Sequence, residues 1–266
     1  MGARRVPLST RSATPRWARA TQCDEEPTAR VIARARTTRC PSPPESALMN
    51  TPSRHLFVAG ATGATGRTLM RQALSRGAPP VLAHVRPKSA DSDLVRPWPH
   101  KAVVELSDGE ALVEMMRGCT TVLQLIGTMR KRFGSGDTYE TSDIGTTRQL
   151  VEAARRAGVD HLVLLSSVGA GRPVGAYLKA KAEAERLVRE SGIPWTVVRP
   201  PAFEGEYHHI NPVLRALTRL PPLRNMRPIH LDQLAAVLLR VSEQRAPLNQ
   251  VLEGDTLWAE VAAAGA

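Results

Sequence analysis

Ser167, Tyr177 and Lys181 are the residues of this chain best matched to a chemical step. Tyr177 and Lys181 form a YxxxK pair, so on a helix both side chains lie on one face. That helix is expected over 176–190: Ala, Lys, Glu and Leu fill it, Gly192 ends it and Pro194 follows. Reduction of a carbonyl needs a proton donor beside the accepting oxygen. A free phenol is a weak acid–base at neutral pH, and a nearby ammonium favours its phenolate. A serine hydroxyl can hydrogen-bond and polarise the same carbonyl. Ser167 closes the pair Ser166-Ser167 ten residues before Tyr177, with Ser166 the alternative. YxxxK alone arises often by chance on helices; a serine pair at a strand end, in this order and at this distance, makes the set more specific. The competing reading of Tyr177 is a cofactor-facing tyrosine with no part in chemistry.

These residues need a scaffold, and the chain announces one at Leu56-Phe57-Val58-Ala59. A short, continuous apolar run is what a strand buried on both faces of a parallel sheet requires. It leads into Gly60-Ala61-Thr62-Gly63-Ala64-Thr65-Gly66-Arg67 and then into apolar residues at helical spacing. Strand, glycine turn and helix together are the context in which glycines bind a pyrophosphate at a helix N-terminus. The spacing is GxxGxxG, where the usual dinucleotide fingerprint is GxGxxG. Gly60, Thr62, Gly63, Ala64, Thr65, Gly66 and Arg67 are accordingly candidate cofactor-binding residues.

Further strands are expected at Val81–Val85, 103–106, 121–126, His161–Leu165 and 195–200, with helices between them. One helix ends near Gly118, and another begins at Asp143 and is closed by Gly158 as C-cap. Gly127, closing the fourth strand, would let a nicotinamide half approach the backbone. His161 reads as structural. Arg130-Lys131-Arg132-Phe133-Gly134-Ser135-Gly136 is either a flap over cofactor or substrate or, preferred here, a solvated loop.

V-A-G-A-T-G-A-T-G-R, with the Ser-Ser strand end and YxxxK, resembles the short-chain dehydrogenase/reductase superfamily. It is closest to the atypical branch of NAD(P)H-binding proteins that includes NmrA-like and flavin/biliverdin-reductase-like members. The resemblance runs from about residue 55 to about 253. It implies an α/β fold: a doubly wound, Rossmann-type parallel sheet in a single domain, with a small C-terminal substrate lobe. It implies that Tyr177 and Lys181 take the acid–base roles and that Lys181 also holds the nicotinamide ribose. It places Glu105 and Leu106 near the adenine, where relatives usually have Asp-Leu. Thr196, Arg199 and Pro200 match a T-x-x-R-P segment, so Pro200 begins a loop lining nicotinamide and substrate. Phe203, Tyr207, His208 and His209 follow as substrate-loop residues; the paired histidines lack a third ligand of suitable spacing, so no metal is expected.

At the end of the second strand, an NAD-preferring enzyme commonly has an acid for the ribose 2′-hydroxyl. This chain has Arg86, with Lys88 nearby and Arg67 after the glycine turn. Cations there attract a 2′-phosphate, so NADP(H) is the preferred cofactor and NAD(H) the alternative. The competing reading makes Arg86 a solvated strand-end charge.

The formal charge is +11, with Lys+Arg 36 and Asp+Glu 25, but aromatics are only 4%, which leaves few stacking platforms for single-stranded nucleic acid. Residues 1–48 alone hold nine arginines against four acids, without sustained periodicity. They are expected to be a disordered Arg/Pro/Ser-rich extension, followed by a Rossmann domain over 49–256 and a tail at 257–266. Cys23, Cys40 and Cys119 form no CxxC pair, so a disulfide scaffold is not expected and a reducing cytoplasm fits. No apolar run reaches the roughly 18 residues of a membrane helix, so a soluble protein is expected.

The combined expectation is an NADP(H)-dependent oxidoreductase that reduces a small carbonyl, quinone or flavin-like acceptor, with no nucleic-acid or membrane partner. Its oligomeric state, monomer or homodimer, stays open. The alternatives are a non-catalytic dinucleotide-binding redox sensor of the NmrA kind and an epimerase or dehydratase. Met49 stands seven residues before Leu56, where such a domain normally begins, so the first 48 residues are read as an upstream extension. Mass spectrometry of the native protein tests this: peptides mapping before Met49 would overturn a start at that methionine.

Overall fold

Strand alternation sorts the apolar side chains of this chain into two layers. In the computed structural model, which describes residues 56–77, 80–127, 138–204 and 226–265, Leu56 and Val58 of β1 (Leu56–Ala59) pack into one cluster, and Phe57 and Ala59 into the other. The same division recurs along β2 (Val81–Val85), β4 (Thr121–Gln124), β5 (His161–Leu165) and β6 (Trp195–Val198). A strand apolar on both faces needs a helix layer on each, and the chain supplies both.

The first cluster is covered by α1 (Ala64–Ser75), α5 (Leu231–Gln244) and α6 (Asp255–Ala263), through Leu69, Leu234, Leu238 and Leu257. The second is covered by α2 (Gly109–Met116), α3 (Thr146–Ala157) and α4 (Gly175–Arg189), through Leu112, Met116, Leu150 and Val188. Full burial of such a side chain contributes about 1.5–3 kcal/mol relative to exposure.

With β3 (Lys101–Val103) and β9 (Gln250–Leu252), the sheet has seven strands in the order β3-β2-β1-β4-β5-β6-β9, all parallel. A two-stranded pair, β7 (Phe203–Glu204) with β8 (Ile229–His230), lies beside it. The chain builds outward from β1 through β2 to β3, then returns to β4 on the other side of β1. That reversal opens a crevice at the C-terminal ends of β1 and β4, where open α/β sheets bind ligands.

The expected doubly wound sheet is therefore present, with several local corrections. β3 lies earlier than 103–106, because Glu105 begins a turn in which the Asp108 amide donates to its carbonyl. β4 stops at Gln124, whose Oε1 accepts the Ile126 amide in place of a ladder partner. The helix expected from Asp143 is preceded by a π-helical turn, Glu140–Gly145, with α3 starting at Thr146. The expected tail at 257–266 is overturned for most of its length. α6 runs to Ala263 and buries Leu257 and Val261 in the first cluster, so a domain ending at 256 would cut through a packed helix. α5 packs back on the domain as expected from Ile229 onward; residues 205–225, which include Tyr207, His208 and His209 of the expected substrate loop, lie outside the described residues, as do the 1–48 extension and the 130–136 basic stretch.

His161 opens β5 as a core residue, as its sequence position suggested. It is 0% exposed; its Nε2–H donates to Thr196 Oγ1 at 2.9 Å, and its Nδ1 has no hydrogen-bond partner. Burial, aided by the nearby Arg245 charge, lowers its pKa from 6.5 to about 4. The unfolded chain therefore binds a proton in this range that the folded one refuses. The stabilisation is complete above pH 6.5 and is lost as pH falls toward about 4, at a cost of up to about 3 kcal/mol. Urea denaturation across that range is expected to show the decline in the wild type and a shallower one in His161→Gln. Equal slopes would remove His161 as its source.

Candidate functional site

The glycine turn has three glycines for different reasons. Gly60 sits at φ +90, and a Cβ there would stand 2.9 Å from both the Ile126 nitrogen and the Leu125 carbonyl carbon. Gly66 faces back onto the turn: its Cβ would meet the Gly60 oxygen at 2.3 Å and the Ala61 Cα at 2.6 Å. Both are demanded by backbone packing. Gly63 is the N-cap of α1, its amide donates to the Gly60 carbonyl at 3.0 Å, and no side chain caps the helix. The first-turn amides of α1 are thus left to an outside acceptor, beside the positive end of the helix dipole. Thr62 and Gly63 are exposed and Ala64 half-buried, whereas Thr65 and Gly66 point into the fold. The solvent-facing part of the predicted set is therefore Thr62 to Ala64, with Arg67.

Arg86 is exposed immediately after β2, at the head of the short 3-10 turn Pro87–Ser89 that carries exposed Lys88. Arg67 is half-buried in the first turn of α1. Glu105, exposed, and Leu106, half-buried, follow β3. His84 adds no cation here. It is buried, its Nε2–H donates to the Val104 carbonyl at 2.9 Å, and burial lowers its pKa more than that bond raises it.

The other half of the site is built on α4 and β5. Lys181 is buried and its Nζ lies 2.8 Å from Asp143 Oδ1, 3.5 Å from the Leu165 carbonyl and 5.9 Å from the centre of the Tyr177 ring. Tyr177 is 38% exposed, with the Tyr139 ring 5.7 Å away, centre to centre. A Cβ on Gly127 would come within 2.8 Å of the Lys181 Nζ and 3.3 Å of Asp143 Oδ1, so the missing side chain lets this buried pair lie close against the backbone. Gln124 holds this rim in place: its Oε1 accepts from Ile126, and its Nε2 donates to Thr147 Oγ1 at 3.2 Å.

The two serines separate cleanly. The Ser166 hydroxyl donates to Glu185 Oε1 at 2.6 Å and is buried, while the Ser167 hydroxyl, half-buried, makes only a long contact of 3.4 Å with the Val168 carbonyl among the described residues. Pro200 is buried at the end of β6, and its carbonyl accepts the Val168 amide at 3.0 Å, tying the two strand ends together. Sequence reasoning missed the importance of Asp143, which looked like an ordinary helix start, and of Glu185, which follows YxxxK by four residues. Phe203 is half-buried in β7; Tyr207, His208 and His209 lie outside the described residues.

A groove of about 890 Å³ runs along the outer face of α1, between Arg67, Arg71, Leu94, Trp98 and Leu231. It shares Arg67 with the glycine turn but is lined by neither Gly127, Tyr177 nor Lys181, so it is distinct from the crevice at the strand ends.

A family of proteins described as NAD(P)H-binding matches residues 60–245, well over half of the chain. The chain belongs to that family. Among its relatives, a (4-alkanoyl-5-oxo-2,5-dihydrofuran-3-yl)methyl phosphate reductase of Streptomyces griseus is 32% identical over 151 residues, covering 56% of this chain and 48% of that protein. The photosystem II assembly factor Ycf39 of Trieres chinensis is 31% identical, covering 76% of this chain and 65% of its own length. The chain thus spans less than two thirds of either relative. Among solved structures, the NADPH complex of the Escherichia coli quinone oxidoreductase QOR2 superposes with a TM-score of 0.56 at 18% identity, over 74% of this chain and 68% of that one. The Citrobacter triphenylmethane reductase with NADP(H) gives 0.56 at 20%, over 75% and 69%. These two establish the Rossmann-like fold.

The residues present fit the dinucleotide of an NAD(P)H-binding protein: an uncapped helix start for its phosphates, and the Lys181 ammonium against the bare backbone of Gly127 for a ribose. Two glycine substitutions separate fold from ligand. Gly66→Ala drives a methyl into backbone and is expected to abolish the cooperative thermal transition. Gly127→Ala meets only the ends of flexible side chains and is expected to keep the melting temperature while weakening NADPH binding by about tenfold, the equivalent of one displaced charge-assisted hydrogen bond. Equal thermal losses in both variants would contradict this division.

Proposed function

We propose that the protein is an NADP(H)-dependent oxidoreductase that reduces a small carbonyl, quinone or flavin-like acceptor by hydride transfer. The observation that carries this reading is the buried Lys181 ammonium beside Gly127, 5.9 Å from the centre of the ring of partly exposed Tyr177. A bound reduced nicotinamide supplies the hydride. The Tyr177 hydroxyl donates the proton to the acceptor oxygen as the acceptor carbon is reduced, and the Ser167 hydroxyl polarises that oxygen. Lys181, held by Asp143 and the Leu165 carbonyl, has a further N–H to offer a ribose hydroxyl. Ser166 is engaged by Glu185, which leaves Ser167 as the serine for this role.

The preference for NADP(H) rests on Arg86, exposed where a 2′-phosphate would lie, with Lys88 beside it. The reductases among the relatives and structural neighbours support the reaction class.

A second reading, a dinucleotide-responsive regulator without turnover, draws on the Asp143–Lys181 pair: a carboxylate 2.8 Å from the ammonium reduces the field reaching Tyr177. The two are separated by NADPH oxidation over a panel of carbonyls and quinones. Turnover is expected, with Tyr177→Phe lowering kcat by roughly 10²–10⁴. NADPH binding without oxidation across the panel would favour the regulator. In parallel, Arg86→Ala is expected to weaken NADPH about tenfold and leave NADH unchanged; equal affinities in the wild type would refute the cofactor preference.

A further inference from the structure

Tyr177, Lys181 and Glu185 succeed one another at helical spacing along one face of α4, yet Glu185 faces none of the open space. It is 2% exposed and collects four donors. Ser166 Oγ donates at 2.6 Å, Arg199 donates through Nε at 2.8 Å and through a terminal nitrogen at 2.7 Å, and Arg189 donates at 2.8 Å. The remaining terminal nitrogen of Arg199 reaches Glu253, just past β9, at 2.8 Å. A Cβ on Gly171 would stand 2.7 Å from that same nitrogen, so the turn after β5 is packed against it as well. One carboxylate therefore joins α4 to the exits of β5 and β6 and, through Arg199, to that of β9. The charge pairing holds the Arg199 guanidinium firmly protonated, its hydrogen bond to Glu185 being the first cause.

Such a cluster is an expensive way to gain stability, since a buried ion pair seldom outperforms well-packed apolar side chains. What it supplies is direction: a forked guanidinium and a carboxylate fix mutual angles that apolar contacts leave loose. Ser166 is the residue immediately before Ser167. Its hydroxyl is anchored inward, whereas Ser167 is half-buried and has no such anchor among the described residues. The neighbouring Leu165 carbonyl accepts from Lys181.

We propose that Glu185, together with Arg199, is a positioning residue for the reacting set: it locks the end of β5 against α4, so that Ser167, Tyr177 and Lys181 keep one mutual geometry. The inference rests on the hydride-transfer reading for its kinetic consequence and on the geometry above for its structural one.

Ser166→Ala, Arg199→Lys and Glu185→Gln in the full chain test it, Ser166→Ala being the mildest should the others fail to fold. The expected result for Ser166→Ala is a preserved melting temperature, unchanged affinity for 2′,5′-ADP as a probe of the glycine turn and Arg86, and a kcat lowered by about 10–100-fold with little change in acceptor KM. Arg199→Lys keeps the charge and loses the fork, and is expected to lose kcat in the same way. Unchanged kcat in folded variants, or losses that merely follow melting temperature, would overturn the proposal and leave the cluster a structural clamp. If the wild type oxidises no NADPH over the panel, the hydride-transfer reading has failed, and amide hydrogen exchange decides the positioning claim. Faster exchange in Ser166→Ala confined to 166–171 and the first two turns of α4 supports it; no change, or a uniform one, overturns it.

Discussion

The turn after β1 runs against the end of β4 so closely that one carbon added at residue 60 would stand 2.9 Å from backbone atoms of two residues. That approach, closed by the Leu125 amide donating to the Ala59 carbonyl at 2.8 Å, depends on a glycine at φ +90. It fixes where the crevice lies, because α1 must leave the turn at an angle that Gly66 alone permits. With α1 so aimed, its uncapped first turn follows the exit of β1, and Gly127 follows the exit of the neighbouring β4. The remaining strands extend this arrangement on either side and bring Ser167 and the α4 face toward it.

Charge is used in two ways in this molecule. On the surface, arginines pair with acids along helices, as Arg155 does with Glu152 and Arg186 with Glu183, and such exposed pairs contribute little. Inside, Lys181 with Asp143 and Arg199 with Glu185 are buried pairs, and removing one partner would leave an uncompensated charge. A net charge of +11 is thus a poor guide to what the folded chain does. The arginines that matter near the crevice are few, and one of the most buried, Arg199, is fully committed within the protein.

Much of the fold was legible because its signals are local. β1 reads as an unbroken apolar run, β2 and β5 have the limits expected for them, and Gly158 marks the end of α3 at φ 73. Strand ends were less legible where a side chain, not a breaker, stops the ladder, as Gln124 does. β9 and α6 escaped notice because Gln250–Leu252 is only three residues long, and α6 shows a weakly amphipathic sequence whose Leu257 and Val261 are buried by partners distant in sequence. In the site, YxxxK and the serine pair were visible as motifs, but Ser166 and Ser167 are chemically identical on paper. Only the position of Glu185, nineteen residues away, tells them apart. Asp143 carries no sequence mark at all, since its partner lies on another helix.

The π-helical turn at Glu140–Gly145 gives that aspartate an unusual dependence on chain length. A π turn is an α-helix carrying one surplus residue, and each residue of an α-helix rotates the chain by about 100°. Whether Asp143 meets Lys181 is therefore a question of helical phase, set by how many residues precede α3 as well as by which residues they are. Loss of a single residue from this turn would restore a regular helix, keep the apolar stripe of α3 on the sheet, and swing the carboxylate away from the ammonium. The chain could shed a buried ion pair at its ligand site without changing any residue that forms it.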